Sequence, residues 1–148
     1  MIAIGCDHAG VEMKKAIIDA LSEKGYEFED LGTDGTPCDY PVVAEAVCTR
    51  VNSGVCERGI LICGTGIGMS IAANKIRGIR AALCSDSFSA RFTRLHNDAN
   101  VICLGARVLG TGLACDLAEI FLSTGFEGGR HQRRIDLITS LEENNGKE

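Results

Sequence analysis

The sequence predicts a single α/β domain in which five parallel strands are covered by helices on both faces. Three observations lead there. Short apolar runs alternate with amphipathic segments along most of the chain. The runs are rich in β-branched residues and bounded by glycine or polar residues, as buried parallel strands are. The chain has 148 residues, enough for one hydrophobic core. Strand–helix alternation of this kind folds as a parallel sheet with helices packed on either side. No internal repeat, low-complexity stretch or linker divides the chain, so residues 1–148 are read as one domain whose last residues, Glu142 to Glu148, form a polar tail.

The clear strands are Ile2 to Gly5, Gly59 to Cys63, Ile79 to Cys84 and Val101 to Leu104, with a weaker one at Glu27 to Asp30. Met13, Ile17 and Leu21 recur every four residues and predict a helix that Gly25 stops. Val43, Val47 and Val51 repeat that spacing after Pro41 and end at Gly54. Asp86 is placed to cap a helix whose face carries Phe88, Phe92 and Leu95. Leu113, Leu117 and Phe121 mark another after Thr111, stopping at Gly125. A last helix carries Ile135, Ile138 and Leu141.

Composition removes several function classes. A net charge of −5 offers no clustered basic footprint for nucleic acid. No apolar run approaches the roughly 20 residues that span a bilayer. Met1 leads directly into a core strand rather than a targeting segment, so a cytoplasmic protein is expected. The eight cysteines include no Cys-x-x-Cys pair, which argues against a structural metal. Most sit in apolar strands or helix faces, where a reduced thiol behaves as a small hydrophobe.

In open α/β sheets, ligands bind beyond the carboxyl ends of the strands. The polar residues there are Asp7-His8 after the first strand, Cys63-Gly64-Thr65-Gly66-Ile67-Gly68 after the third, and Ser85-Asp86 after the fourth. His96-Asn97-Asp98, ahead of the fifth, is read with them as a second ligand-facing cluster. Glycines at alternate positions let backbone approach a ligand, and successive N–H groups before a helix make a nest for negative charge; a tight turn with no ligand would use the same spacing. The dinucleotide fingerprint fails at Met69, and no Gly-Lys-Ser/Thr follows. Cys63 stands apart from the other cysteines because it precedes that nest, where a thiolate is stabilised and can take a proton from carbon. Arg130 and Arg134 lie one helical turn apart, on one face, and suit a phosphate; a solvated basic turn is the plainer reading. His131 is read either as a substrate contact or as a cap of the last helix.

Taken together, these segments resemble the type B ribose 5-phosphate isomerases, grouped with the galactose 6-phosphate isomerase subunits. The resemblance rests on Gly5 to Gly10, Asp39-Tyr40-Pro41, Ile62 to Gly68, Ile71 to Lys75, His96-Asn97-Asp98, Leu104 to Arg107 and Gly128 to His131, in family order over nearly the whole chain. It implies a Rossmann-like αβα sandwich and a homodimer or pair of dimers with shared active sites. It implies neither metal nor organic cofactor. By similarity, Cys63 is the base between C1 and C2, Thr65 assists it, and Gly64, Gly66, Ile67 and Gly68 help form the anion hole. His96 opens the sugar ring and Asp7 contacts its hydroxyls. His8, Arg107, Arg130 and Arg134 hold the phosphate, while Asn97 and Tyr40 line the sugar. The substrate so implied is D-ribose 5-phosphate, with allose or galactose 6-phosphate as six-carbon alternatives. A non-catalytic sugar-phosphate sensor would keep the arginines and the nest but have no use for the thiol.

Overall fold

The computed structural model describes residues 1–145. The chain runs β1 (Ile2–Cys6), α1 (Val11–Ser22), β2 (Phe28–Asp30), α2 (Tyr40–Asn52), β3 (Arg58–Cys63), α3 (Ile67–Ala73), β4 (Ala81–Leu83), α4 (Ser87–Asn97), β5 (Val101–Gly105), α5 (Thr111–Ser123) and α6 (Arg130–Asn144). All strand pairs are parallel and the sheet order is β2-β1-β3-β5-β4. The five-stranded α/β sandwich is therefore as expected. No described helix is long and apolar enough to cross a membrane.

Strand periodicity builds two cores. Ile2, Ile4, Ile60, Ile62, Ile102 and Leu104 face one layer, where they meet Met13, Ile17 and Leu21 of α1 and Leu117 and Phe121 of α5. Alternate residues Ala3, Leu61, Cys63, Val101 and Cys103 face the other, against Val43 and Val47 of α2 and Met69 and Ala73 of α3. Each fully buried Leu, Ile or Phe removes about 1.5–3 kcal/mol worth of apolar surface from water.

Local signals account for most boundaries. Gly25 (φ 92°) and Gly54 (φ 76°) supply left-handed turns after α1 and α2. Pro41 occupies the first turn of α2, where a missing N–H costs nothing. Asp86 caps α4 by accepting from the Ser89 N–H at 2.7 Å. Thr111 begins α5 rather than preceding it.

Four expectations change. The fourth strand is only Ala81–Leu83, because Ile79 closes a turn onto Ile76 and the Arg80 N–H bonds the Asn100 side chain. It forms a sheet edge whose Ala81 N–H and C=O are both bonded by the Asn74 amide at 2.9 Å. The last helix continues to Asn144, so the tail starts later than expected; Glu142 accepts from the Gly78 N–H, and residues 146–148 lie outside the described residues. Ile138 and Leu141 of that helix are exposed. Finally, α4 does not bury its aromatic stripe. Phe88 is 68% exposed, whereas Ala90 and Arg94 face inward. Arg94 can be buried because it bonds Ala99 O, Thr124 O and the Asp98 carboxylate.

Candidate active site

The strand order reverses direction at β1 and β3: the chain leaves β1 toward one edge and returns to β3 on its other side. Helix α1 packs on one face of the sheet and α3 on the other. A crevice opens between the two departing loops, beyond the carboxyl ends of the strands. A cavity of about 460 Å³ occupies it, lined by Asp7, Tyr40, Cys63, Gly64, Thr65, Ile67, Gly68, Ile71 and Arg107.

Cys63 ends β3 and lines this space, though only 5% of the residue is exposed. The Gly66 N–H donates to Cys63 Sγ at 3.2 Å. The chain can turn back onto the sulfur because Gly66 has φ 78°; a Cβ there would also meet Leu83 Cδ1 at 2.6 Å. Burial pushes Cys6, Cys48 and Cys84 up to about 11, and raises Cys103 well above the ordinary thiol value. Cys56 and Cys115 are raised by burial as well.

The anion nest is partly committed. Gly66 bonds the sulfur and the Ile67 N–H bonds Thr65 Oγ1 at 3.2 Å. The N–H groups of Gly64 and Thr65 have no partner among the described residues. The Arg107 N–H donates to Gly64 O at 2.9 Å, which brings the base of the Arg107 side chain to the rim. Asp7 is buried; its carboxylate accepts from the Ala9 N–H at 2.9 Å, and His8 beside it is exposed. Tyr40 opens α2 and lays its ring against Gly68, where an added Cβ would lie 2.7 Å from the ring. Buried Lys14 ties the loop before Tyr40 by donating to Asp30 Oδ1 at 2.8 Å and Thr33 O at 3.1 Å.

The remaining predicted residues lie elsewhere. Helix α4 starts beyond the carboxyl end of β4 and ends just before β5, so it runs antiparallel to the strands. His96 and Asn97, in its last turn, are therefore at the amino ends of the strands, not with Cys63 as expected. The Arg80 guanidinium, at the start of β4, donates to Asn97 O at 2.9 Å and to Asp98 O at 2.9 Å. Asp98 adopts φ 44° and ends α4; Arg80 and Arg94 both bridge its carboxylate.

Arg130 and Arg134 project from the first turns of α6, both exposed, where the positive end of the helix adds to their charge. The cap reading of His131 does not hold: it makes no cap bond, and its ring stacks on His96 with centroids 4.0 Å apart and planes 13° apart. Phe88, Phe92, His96 and His131 thus form a ladder, with centroid steps of 4.1, 4.9 and 4.0 Å. Glu127 Oε2 lies 3.4 Å from His96 Nε2 and 3.7 Å from His131 Nε2. Sequence reasoning passed over Glu127; its only signal was a carboxylate four residues before a histidine. The three donor atoms lie within 4.8 Å of one another. Imidazole lone pairs lie in the ring planes, and nearly parallel stacked planes do not meet at the roughly 2.1 Å a metal requires. The group is a stack sharing a carboxylate.

Two groups of polar residues result, at opposite ends of one sheet: Cys63 with Asp7, His8, Tyr40, Thr65 and Arg107, and His96 with Asn97, Arg130, His131 and Arg134.

Comparison with known proteins gives the same answer from sequence and from shape. The ribose/galactose isomerase family model matches residues 2–138. Ribose-5-phosphate isomerase B of Escherichia coli is 48% identical over 143 residues, covering 96% of each chain. The structure of ribose-5-phosphate isomerase B from Clostridium thermocellum superposes with a TM-score of 0.95 at 49% identity, covering 97% of this chain and 98% of that one. The Mycoplasma genitalium ribose-5-phosphate isomerase B, solved with bound ribulose 5-phosphate, gives 0.91 at 41% identity, covering 96% and 95%.

Proposed function

Because the chain belongs to the ribose/galactose isomerase family, we propose that it interconverts D-ribose 5-phosphate and D-ribulose 5-phosphate through an enediolate, with Cys63 as the base. The observation carrying this reading is a strand-end cysteine whose sulfur accepts a backbone N–H and which lines a cavity together with Asp7, Thr65 and Arg107. Sulfur in that position has a proton-transfer task that a sensor would not need.

The substrate enters as a furanose. His96 gives a proton to the ring oxygen and the C1–O4 bond breaks. Cys63 then takes the proton from C2. Charge develops on O1, which the unpartnered amides of Gly64 and Thr65 are placed to hold. The O2 proton passes to O1 beside the Thr65 hydroxyl, and Cys63 returns its proton to C1. His8, Arg107, Arg130 and Arg134 grip the phosphate; Asp7, Asn97 and Tyr40 contact the sugar. Binding energy from the phosphate is used to align the reacting carbons. Only protons move, so the reading assigns no metal or organic cofactor.

One chain holds its two groups of residues at opposite ends of the sheet, so a whole site needs the second group from another copy. The active assembly is a homodimer, or a pair of dimers, with each site shared. Exposed Ile67 and Ile71 beside Cys63, and exposed Leu137, Ile138 and Leu141 on α6, are the kind of apolar surface that such contact covers.

The test is ketose formation from ribose 5-phosphate without added cofactor or metal, with allose and galactose 6-phosphates as parallel substrates. Cys63→Ala should lower kcat by about 10²–10⁴-fold. Binding without turnover would favour a sensor, and near-normal turnover by Cys63→Ala would remove the base assignment.

A further inference from the structure

Glu127 and His131 have no task in that scheme, yet both are built onto His96. The same carboxylate oxygen of Glu127 faces Nε2 of both imidazoles, at 3.4 and 3.7 Å, a few tenths of an ångström beyond a formed hydrogen bond. His131, 4% exposed, covers one face of the His96 ring, and Phe92 meets that ring edge-on at 79°. The Glu127 N–H donates to Leu95 O at 3.1 Å, which fixes the carboxylate's own segment to α4. The His96 side chain keeps 35% of its surface open. Burial, and then the nearby His96 charge, hold the His131 imidazole below its usual value, with Arg130 and Arg134 acting the same way and Glu127 opposing. Disfavouring charge on His131 leaves Glu127 to serve His96.

We propose that Glu127 and His131 are positioning residues that lock the His96 imidazole with Nε2 turned to the carboxylate and Nδ1 left for the sugar's ring oxygen, so that they serve substrates arriving as closed rings and are dispensable for open-chain ones. The proposal rests on the isomerase reading above. In ring opening, the Nδ1 proton of the His96 imidazolium goes to O4 as the C1–O4 bond breaks. The O1 hydroxyl loses its proton as C1=O1 forms, and that proton restores the imidazolium. Ribulose 5-phosphate needs none of this. The O5 atom that would close a five-membered ring onto C2 carries the phosphate, so the ketose is an open chain on which Cys63 can act at once.

The test compares the full-length protein with Glu127→Gln and His131→Phe in two assays: ketose formation from ribose 5-phosphate, and deuterium wash-in at C1 of ribulose 5-phosphate in D₂O, followed by NMR. Glu127→Gln keeps the shape of the side chain but turns an amide toward one ring. It should lower kcat on ribose 5-phosphate about tenfold or more, leaving wash-in within about twofold of the parent. His131→Phe keeps the stack without the second nitrogen, and should show the same split more weakly; it carries the test if Glu127→Gln fails to fold. Parallel loss of both rates would mark a merely structural role and overturn the proposal, as would no loss in either. If the parent chain shows neither isomerisation nor wash-in, the isomerase reading falls and the proposal with it; an active parent whose variants show no split sinks the positioning role alone.

Discussion

Two inactive variants should make an active enzyme when their chains are paired. Helix α4 is 11 residues long, roughly 16 Å of rise, and it separates His96 from the end of the sheet that carries Cys63. No side-chain rotation spans that gap, so in the symmetric dimer proposed above, the proposed base and ring-opening acid of one site would come from different chains. Cys63→Ala and His96→Ala homodimers each lack one group at both sites, and each should keep about a hundredth of parental turnover or less. In the mixed dimer, one site combines both substitutions. The other combines an intact Cys63 from one chain with an intact His96 from its partner. Mixed dimers isolated through two different affinity tags should therefore turn over ribose 5-phosphate at about half the parental rate, and random assembly at about a quarter, with the parental KM because the surviving site is unaltered. Mixed dimers that contain both tags yet work no faster than either parent variant would refute the shared site.

Other expectations follow from single contacts. Arg134→Ala should raise KM about tenfold or more with little change in kcat, since a phosphate grip contributes to substrate and transition state alike; a fall in kcat alone would contradict that role. Gly66→Ala should destabilise by about 1–3 kcal/mol in chemical denaturation, because a left-handed φ of 78° and the 2.6 Å approach to Leu83 both resist a Cβ; unchanged stability would mean the turn relaxes freely. The Asp86 carboxyl is held below its ordinary 3.8, first by the Ser89 amide and then by the Ser89 hydroxyl. A depressed carboxyl stabilises the fold above its unfolded value, and that contribution is lost as pH falls through the folded one. Asp86→Ala should thus be less stable than the parent at neutral pH, with the gap closing on acidification below about 4; a pH-independent gap would remove the carboxylate from the explanation.

The sheet was legible because its inner strands are apolar over almost their full length, with Arg58 at the start of β3 the exception, and a period of two then assigns each residue to a face. The Cys63 half of the site followed from topology alone, since any polar residue after β1 or β3 must stand at the crevice. The His96 half was misplaced. Lying just before a strand looked equivalent to lying just after one, but a helix antiparallel to the strands ends at the opposite rim. The aromatic residues of α4 carried a core-like pattern that the chain spends on stacking the histidines instead. Burial of Arg94 was unreadable because two of its three partners are backbone carbonyls, one of them thirty residues away. The Glu127 contact to His96 crosses a similar distance with no local periodicity to announce it.

The two margins of the sheet are three residues each, and on β4 the Asn74 carboxamide satisfies both polar groups of Ala81. A foreign strand finds little unclaimed backbone there to zip onto. Recruitment of further copies is thereby steered away from open-ended ribbon growth and toward side-chain surfaces that a symmetry axis can close. For the shared-site assembly proposed above, such a bias favours closed association over strand-by-strand growth.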